Sequence, residues 1–383
     1  MKNLFLWFHK WLGLITGIVI ITVSFTGSIY VFQDELKLLA YPEKYFLETT
    51  VSENASPLRL SQLIEIAQKS LSKNEKVSRV DIHPQKNRTW VFRAVESNED
   101  ALFYWDSFIY HKRVFINPYT GKVQAKENSK TEFFNVVLQI HMNLLLGKKY
   151  GHTIIGFSTL FFGIISLTGL VLWWPKKWKK SNLKQSLLIK RGSKFKRLNY
   201  DLHNVLGFYA LPVAVVFCFT GLVFSFPWFK NLISENFDSL NANKNKKIIY
   251  YKNVPQFSNN SLNNSLTYVL KEHPTADQLS IRLQAKEKPH NIQVRLLKNK
   301  TSVFYWYYFN QENGQIENIK SSNKLGLGSK ITSLNYDLHT GTIGGLTTKM
   351  IALLASLICA SLPITGFIIW LNKSKKTRKR NLK

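Results

Sequence analysis

Cysteine, acidic residues and nucleotide-binding motifs are scarce or missing in this sequence. Only two cysteines occur, Cys218 and Cys359, both inside apolar stretches, which excludes a disulfide framework. No Gly-x-Gly-x-x-Gly segment lies between a predicted strand and a predicted helix, so we expect no flavin or nicotinamide site. Any domain outside the apolar stretches must therefore be stabilised by its own core.

Charge is absent from four long stretches, residues 11–33, 153–175, 202–229 and 350–372. Each stretch exceeds the roughly 20 residues that a helix needs to cross about 30 Å of hydrocarbon. Trp residues lie at their ends, which is typical of membrane interfaces. The sequence therefore predicts four membrane-spanning helices. Because the spans contain no ionisable Asp, Glu, Lys or Arg, a proton or ion pathway is disfavoured.

Basic residues outnumber acidic ones, 52 to 23, and many of them adjoin the spans. The loop 176–201 holds ten Lys and Arg with one acid, and the tail 373–383 holds seven with none. Short flanks rich in Lys and Arg remain in the cytoplasm, so we predict that both termini and this loop are cytoplasmic. Nucleic acid is not an expected partner, since these basic clusters adjoin spans.

The first apolar stretch is too long for a secretory signal and no small-x-small cleavage site follows it, so we interpret it as an uncleaved anchor. The predicted organisation is as follows: 1–33 first span, 34–140 first outer domain, 141–175 outer histidine segment and second span, 176–201 cytoplasmic loop, 202–229 third span, 230–337 second outer domain, 338–372 outer histidine segment and fourth span, and 373–383 cytoplasmic tail.

The chain contains a tandem duplication. His9 and His203 each precede a Thr-Gly pair by 17 positions, whereas His141 and His339 precede one by 27 and 26. Each half runs through one span, one outer segment and a second span. Because both halves start on the same side, they are predicted to be parallel repeats about an axis along the membrane normal.

The two outer segments share a pattern of secondary structure. A helix is predicted at 58–70 and at 261–272, with alternating strands after each. Asn117 and Gly121 bound a predicted hairpin turn, and Asn310 and Gly314 bound its counterpart 193 residues later. The predicted fold is therefore a membrane α-helical protein, a four-helix transmembrane bundle carrying two outer α+β domains.

The histidines at the edges of the spans are the candidate functional residues. The duplication predicts that His9 faces His203 at the cytoplasmic side, and that His141 faces His339 at the outer side. Facing imidazoles across a helical bundle are typical of bis-histidine haem sites. Without a Cys-x-x-Cys-His motif the haem would be non-covalent b-type, and two layers would allow two haem groups. Zinc is a weaker alternative, because each layer offers only two histidines.

Further residues qualify this prediction. Gly13 and Gly207 follow His9 and His203 by four positions, on the same helix face, and leave room for a flat group. His152 is an alternative outer ligand, although the second half has no matching histidine. Four other histidines are interpreted as ordinary surface residues: His83, His111, His273 and His290. The Thr-Gly pairs have two readings, either close helix packing or clearance for a porphyrin edge.

Five segments together resemble the PepSY-associated transmembrane family. They are His-Lys-Trp-Leu-Gly-Leu at 9–14, Ile-His-Met-Asn-Leu-Leu-Leu-Gly at 140–147, Thr-Gly-Leu-Val-Leu-Trp-Trp-Pro at 168–175, Asp-Leu-His-Asn-Val-Leu-Gly-Phe-Tyr-Ala-Leu-Pro at 201–212 and Leu-His-Thr-Gly at 338–341. The resemblance covers nearly the whole chain and implies PepSY-like outer domains. At His152 this sequence departs from the family, whose members often carry a basic residue there.

The resemblance implies an iron-regulated inner-membrane protein of Gram-negative bacteria, similar to di-haem siderophore-iron reductases. It implies His9, His141, His203 and His339 as haem ligands and reduction of a ferric siderophore or other ferric chelate on the periplasmic side. The electron donor would be separate, a quinol or a cytoplasmic reductase. Two alternatives remain: a PepSY-type regulatory protein without haem, for example a protease inhibitor, and a transporter of the chelate.

Overall fold

The computed structural model describes residues 2–48, 50–52, 54–175, 179–239, 261–283, 290–311 and 314–381. These residues form two compact units. The transmembrane unit comprises Met1–Phe32, Val137–Lys230 and Leu338–Lys383, and the sheet domain comprises Gln33–Val136 and Asn231–Asp337.

The described residues contain fourteen α-helices. They are α1 (Lys2–Tyr30), α2 (Gln33–Ala40), α3 (Pro42–Tyr45), α4 (Leu60–Lys69), α5 (Phe133–Asn143), α6 (Lys148–Trp173), α7 (Lys180–Leu187), α8 (Phe195–Asp201), α9 (Gly207–Ser225), α10 (Pro227–Ser239), α11 (Ser261–Glu272), α12 (Leu327–Ser333), α13 (Asn335–His339) and α14 (Leu346–Asn381).

In the described part of the chain, four helices are long and apolar enough to cross a membrane: Lys2–Tyr30, Lys148–Trp173, Phe195–Ser225 and Leu346–Ser374. They pack in the cyclic order α1, α6, α9, α14, so α1 lies diagonally opposite α9. We refer to the bundle end where α6 ends and α8 begins as the basic end, and to the other as the far end. The four predicted spans are confirmed as helices of the required length and composition.

The third span starts earlier than the predicted residue 202. Its helix begins at Phe195, inside the segment predicted to be a cytoplasmic loop, and ends at Ser225 rather than 229. Residues Leu202–Leu206 form a single π-helical turn between α8 and α9. The difference arises because a helix continues beyond the apolar stretch as long as its backbone hydrogen bonds are maintained, whereas the sequence rule counts only uncharged residues.

The sheet domain contains one antiparallel sheet of eight strands, in the order β4-β3-β2-β1-β5-β6-β7-β8. The strands are β1 (Val77–Ile82), β2 (Trp90–Ser97), β3 (Phe108–Ile116), β4 (Val123–Asn128), β5 (Gln278–Arg282), β6 (His290–Arg295), β7 (Phe304–Phe309) and β8 (Ile316–Ser321). Strands and helices predicted for both outer segments are confirmed. So are the hairpin turns, in which Gly121 and Gly314 have φ of 75° and 69°.

The prediction of two separate outer domains is corrected by this sheet. The two segments each supply four strands, and β1 pairs with β5 from Arg79↔Arg282 to Ile82↔Leu279. Two isolated four-stranded sheets would each leave an edge of unpaired N–H and C=O groups. Pairing β1 with β5 satisfies both edges at once, and one domain results.

One face of the sheet holds the hydrophobic core. Val80, Phe92 and Ile281 are completely buried there, and α4 and α11 cover them. The two helices are joined by Asn263, whose side chain accepts from the backbone N–H of Ser61 at 3.1 Å and donates to its Oγ at 3.1 Å. The opposite face of the sheet is therefore available for polar and charged side chains.

Candidate functional site

The first pair of predicted histidines meets at the basic end of the bundle. His9 lies on α1, and His203 lies in the π-helical turn before α9. Their ring centres are 6.1 Å apart, with the ring planes at 89°. Because α1 and α9 lie diagonally opposite each other, the two imidazoles meet across the bundle. π-Helical turns are often found at functional sites.

The second pair meets at the far end. His141, near the end of α5, and His339, the last residue of α13, have ring centres 6.0 Å apart and planes at 70°. The rings of Phe217 and Phe224 lie 5.6 and 5.5 Å from that of His339. The structure thus brings both predicted pairs together.

The two pairs are separated by most of the thickness of a bilayer. His141 contacts α1 at Val23 and Thr26, 14 and 17 residues beyond His9 on the same helix. At 1.5 Å of rise per residue, the two levels lie roughly 20 Å apart. A hydrocarbon core is about 30 Å thick, so the two pairs occupy opposite halves of the spans.

At the basic end, a neighbouring span holds each imidazole through its Nδ1 atom. His9 Nδ1 lies 3.0 Å from the carbonyl oxygen of Ile165 and 3.2 Å from Oγ1 of Thr168. His203 Nδ1 lies 3.1 Å from the carbonyl oxygen of Leu362 and 2.9 Å from Oγ1 of Thr365. A carbonyl oxygen only accepts, so Nδ1 carries the proton in both rings.

The far-end pair is held in the same way. His141 Nδ1 donates to the carbonyl oxygen of Val23 at 2.9 Å, and Oγ1 of Thr26 lies at 3.4 Å. His339 Nδ1 lies 2.7 Å from Oγ1 of Thr220, whose own proton goes to the carbonyl oxygen of Val216 at 2.6 Å. That hydroxyl must therefore accept from His339. In all four histidines Nε2 carries the lone pair, the state required of a metal ligand.

The structure assigns a third use to the Thr-Gly pairs, which sequence reasoning missed. Each of the four threonines is the partner of one histidine Nδ1. Three of the glycines lie directly against the imidazoles: a Cβ would come within 2.9 Å of His141 Cε1 at Gly27, 3.1 Å of His9 Cε1 at Gly169 and 3.2 Å of His203 Cε1 at Gly366. The fourth, Gly221, lies against Thr159. The sequence contains one Thr-Gly pair for each histidine, but the spacing alone did not predict that each threonine contacts an imidazole.

An identical six-residue segment was also missed. Leu-Asn-Tyr-Asp-Leu-His occurs at 198–203 and again at 334–339, ending on His203 and His339. The aspartates are buried: Asp201 pairs with Arg197 at 2.8 Å, and Asp337 accepts from the backbone N–H of Ser302 at 3.0 Å. Each buried aspartate lies two residues before its histidine.

The remaining predicted residues lie beside the pairs or away from them. A Cβ on Gly13 would meet no described atom within 4 Å, so there is space next to this glycine, whereas one on Gly207 would be in ordinary contact with Leu362 at 3.5 Å. His152 Nε2 lies 3.3 Å from the carbonyl oxygen of Phe224, and the histidine opposite His339 is His141. The prediction of His111 as a surface residue is wrong, since only 9% of it is exposed.

Two facing imidazoles offer two nitrogen donors to a metal ion or a haem. Among the described residues, no cluster of three or more His, Cys, Asp or Glu is placed to bind a metal, as a closed zinc site would require. A metal bonded to two imidazole nitrogens at about 2 Å each separates the ring centres by roughly 6 Å, as observed in both pairs. Haem iron needs two axial ligands of this kind, so these residues fit a haem.

The PepSY-associated TM region family matches residues 6–373, nearly the whole chain, and the protein belongs to this family. Together with its four apolar helices, this makes it a membrane protein with a separate antiparallel sheet domain. A comparison with curated proteins gave no match.

Proposed function

We propose that this protein carries electrons across a bacterial inner membrane and reduces a ferric chelate at the periplasmic face. In this proposal His9 with His203 and His141 with His339 hold one non-covalent haem b each. One observation carries this proposal: two facing imidazole pairs lie at opposite ends of the spans. In each of the four imidazoles, Nδ1 is held by a hydrogen bond and Nε2 carries the lone pair.

The residues around each pair perform defined tasks in this proposal. The threonine hydroxyls and backbone carbonyls orient the rings and increase the basicity of Nε2, as outer partners of metal-bound histidine do. The apolar spans exclude water and charge. A bound haem supplies one-electron redox chemistry. The donor is a separate quinol or cytoplasmic reductase.

The direction follows from the charges. Short flanks rich in Lys and Arg remain in the cytoplasm, which supports a cytoplasmic basic end with the N- and C-termini inside and periplasmic outer segments. The two halves act as parallel repeats about an axis along the membrane normal. Hard oxygen-donor chelators bind Fe(III) far more tightly than Fe(II), so transfer of one electron to the chelate releases its iron as Fe(II).

An absorption spectrum of the purified protein, oxidised and then reduced with dithionite, tests the proposal. We expect a Soret band, a sharp α band and two haem groups per chain. The variant His203→Ala should lose about half the haem, whereas His152→Ala should lose none and serves as its matched control. Absence of a Soret band would refute the electron-transfer proposal and favour the PepSY-type regulatory alternative. Unchanged haem in His203→Ala would refute the ligand assignment.

Turnover requires a second measurement. The dithionite-reduced protein, freed of excess reductant, is mixed with a ferric chelate in a stopped-flow instrument while a ferrous-iron indicator is monitored. We expect reoxidation and Fe(II) to appear together. Reoxidation without Fe(II) would contradict ferric reduction.

A further inference from the structure

A row of arginines crosses the sheet on the face opposite the hydrophobic core. Arg113, Arg93, Arg79 and Arg282 lie on the four adjacent strands β3, β2, β1 and β5. They are directly opposite one another in register, as Arg93↔Arg113, Arg79↔Arg93 and Arg79↔Arg282. Like charges directly opposite on neighbouring strands destabilise a sheet. We call these four residues the arginine row.

Two carboxylates contact the arginine row. Asp81 is 1% exposed and pairs with Arg79 at 2.9 Å and with Arg93, and it also accepts from Ser280 Oγ at 2.6 Å. Burial alone raises the pKa of Asp81, but the guanidinium groups of Arg93 and Arg79 lower it to about 2. Asp81 is therefore ionised and already shared by two arginines.

The second carboxylate, that of Glu127, is also paired with cationic side chains. Glu127 lies opposite Arg113 in register, 3.5 Å from its Nη1, and accepts from Lys44 Nζ at 3.1 Å. Four cationic side chains thus share these two carboxylates: Arg79 and Arg93 pair with Asp81, and Arg113 and Lys44 pair with Glu127. Among the described residues, Arg282 at the other end of the row pairs with no carboxylate, so the uncompensated positive charge of the row lies there.

An open cavity of about 390 Å³ lies at that end. Its lining is Arg79, Arg93 and Arg282 together with Ser78, Val95 and Leu283. Arg282 is exposed, and its guanidinium stacks over the ring of Trp306 at 4.9 Å. This stacking orients the planar fork of Arg282. The cavity therefore combines three guanidinium groups, two of which pair with buried Asp81, with two apolar side chains and a hydroxyl. Among the described residues, no carboxylate is part of its lining.

We propose that this cavity binds the carboxylate groups of a soluble anionic ligand, and, resting on the proposed function, that this ligand is a ferric complex of the carboxylate type. Guanidinium forks bind carboxylates through two parallel hydrogen bonds. An arginine is preferred over lysine for such planar recognition. A cationic or neutral chelate would gain nothing from three guanidinium groups. The site thus selects chelates by charge.

Binding of gallium(III) citrate to the full-length protein in phosphatidylcholine nanodiscs tests this inference. Gallium(III) has the charge of ferric iron but is not reduced, so calorimetry reports binding alone. We expect Arg282→Gln to weaken binding about tenfold, the loss typical of one charge-assisted hydrogen bond. Arg282→Lys should recover only part of it. Lys271→Gln, on the helix α11 that covers the opposite face, removes the same charge and should bind as the wild type does.

Two further arms give results that would overturn the inference. Equal binding by the wild type and Arg282→Gln, with both folded, refutes the site. If anionic phosphatidylglycerol nanodiscs abolish the binding seen in phosphatidylcholine, the arginines bind lipid phosphates instead. Gallium binding does not require haem. If the protein binds gallium citrate but no haem, this site is supported and the proposed function is refuted. If it binds haem but no gallium citrate, this site is refuted and the proposed function is unaffected.

Discussion

The glycines beside the imidazoles provide a graded test of the histidine sites. A Cβ placed on Gly27 would lie 2.9 Å from His141 Cε1 and 3.3 Å from its Nδ1, whereas ordinary contact starts at 3.4 Å. The ring must then move by about 0.5 Å in a closely packed bundle. The same change at Gly169 or Gly366, with distances of 3.1 and 3.2 Å to the ring, requires about half that movement.

Such a movement would disturb His141 as a ligand of the proposed haem. His141 Nδ1 donates to the carbonyl oxygen of Val23 at 2.9 Å, and a displaced ring lengthens or misaligns this bond. Loss of the outer partner of a metal-bound histidine typically lowers metal affinity by about 10- to 100-fold. We expect Gly27→Ala to fall in this range for the far-end haem, and Gly169→Ala and Gly366→Ala to have smaller effects on the basic-end haem.

The assay is the haem-to-protein ratio of the purified variants, with the midpoint potential of the haem that remains. The matched control is Gly163→Ala, whose Cβ would lie 3.9 Å from Cys218. It gains the same helix propensity, about 1 kcal/mol, without touching a histidine. Full haem content and an unchanged potential in Gly27→Ala would show that the ring is not held in a fixed position, and the reasoning would fail.

Two further predictions concern the far-end histidine and the sheet domain. Thr220→Val removes the acceptor of His339 Nδ1 and should weaken haem binding at that pair about tenfold, whereas Thr159→Val should not, as haem titration would show. Stability of the sheet domain should fall in acid, measured by hydrogen exchange of its strand amides. Burial, followed by the charge of neighbouring Arg113 and Arg93, lowers the pKa of His111 to about 4, so the unfolded chain binds the extra proton and stability falls between about pH 6.5 and 4. His111→Gln should remove this part of the pH dependence of stability. Asp81, with its pKa lowered to about 2, stabilises the fold by about 2 kcal/mol above pH 4 and loses this as pH falls towards 2. A profile that is flat from pH 7 to 2 would contradict both assignments.

Features set by local pattern could be predicted from the sequence. Runs without charge defined the four spans, because a helix that crosses a membrane needs about 20 consecutive apolar residues and other secondary-structure elements do not. Alternation and Asn-x-x-x-Gly spacing located the strands and hairpins, since strand periodicity and the φ > 0 of Gly are local properties. Matching offsets in the two halves were enough to pair His9 with His203 and His141 with His339.

What depends on contacts between distant segments was decided by the tertiary structure. The pairing of β1 with β5 merged two predicted domains into one, because an unpaired strand edge is satisfied by whichever partner the fold presents. Partners of the histidine Nδ1 atoms, such as Thr168 for His9, lie more than 100 residues away in sequence. The arginine row exists only through register, which places one residue from each of four strands side by side. Periodicity reports which face a side chain occupies, but not which side chains from other strands stand beside it.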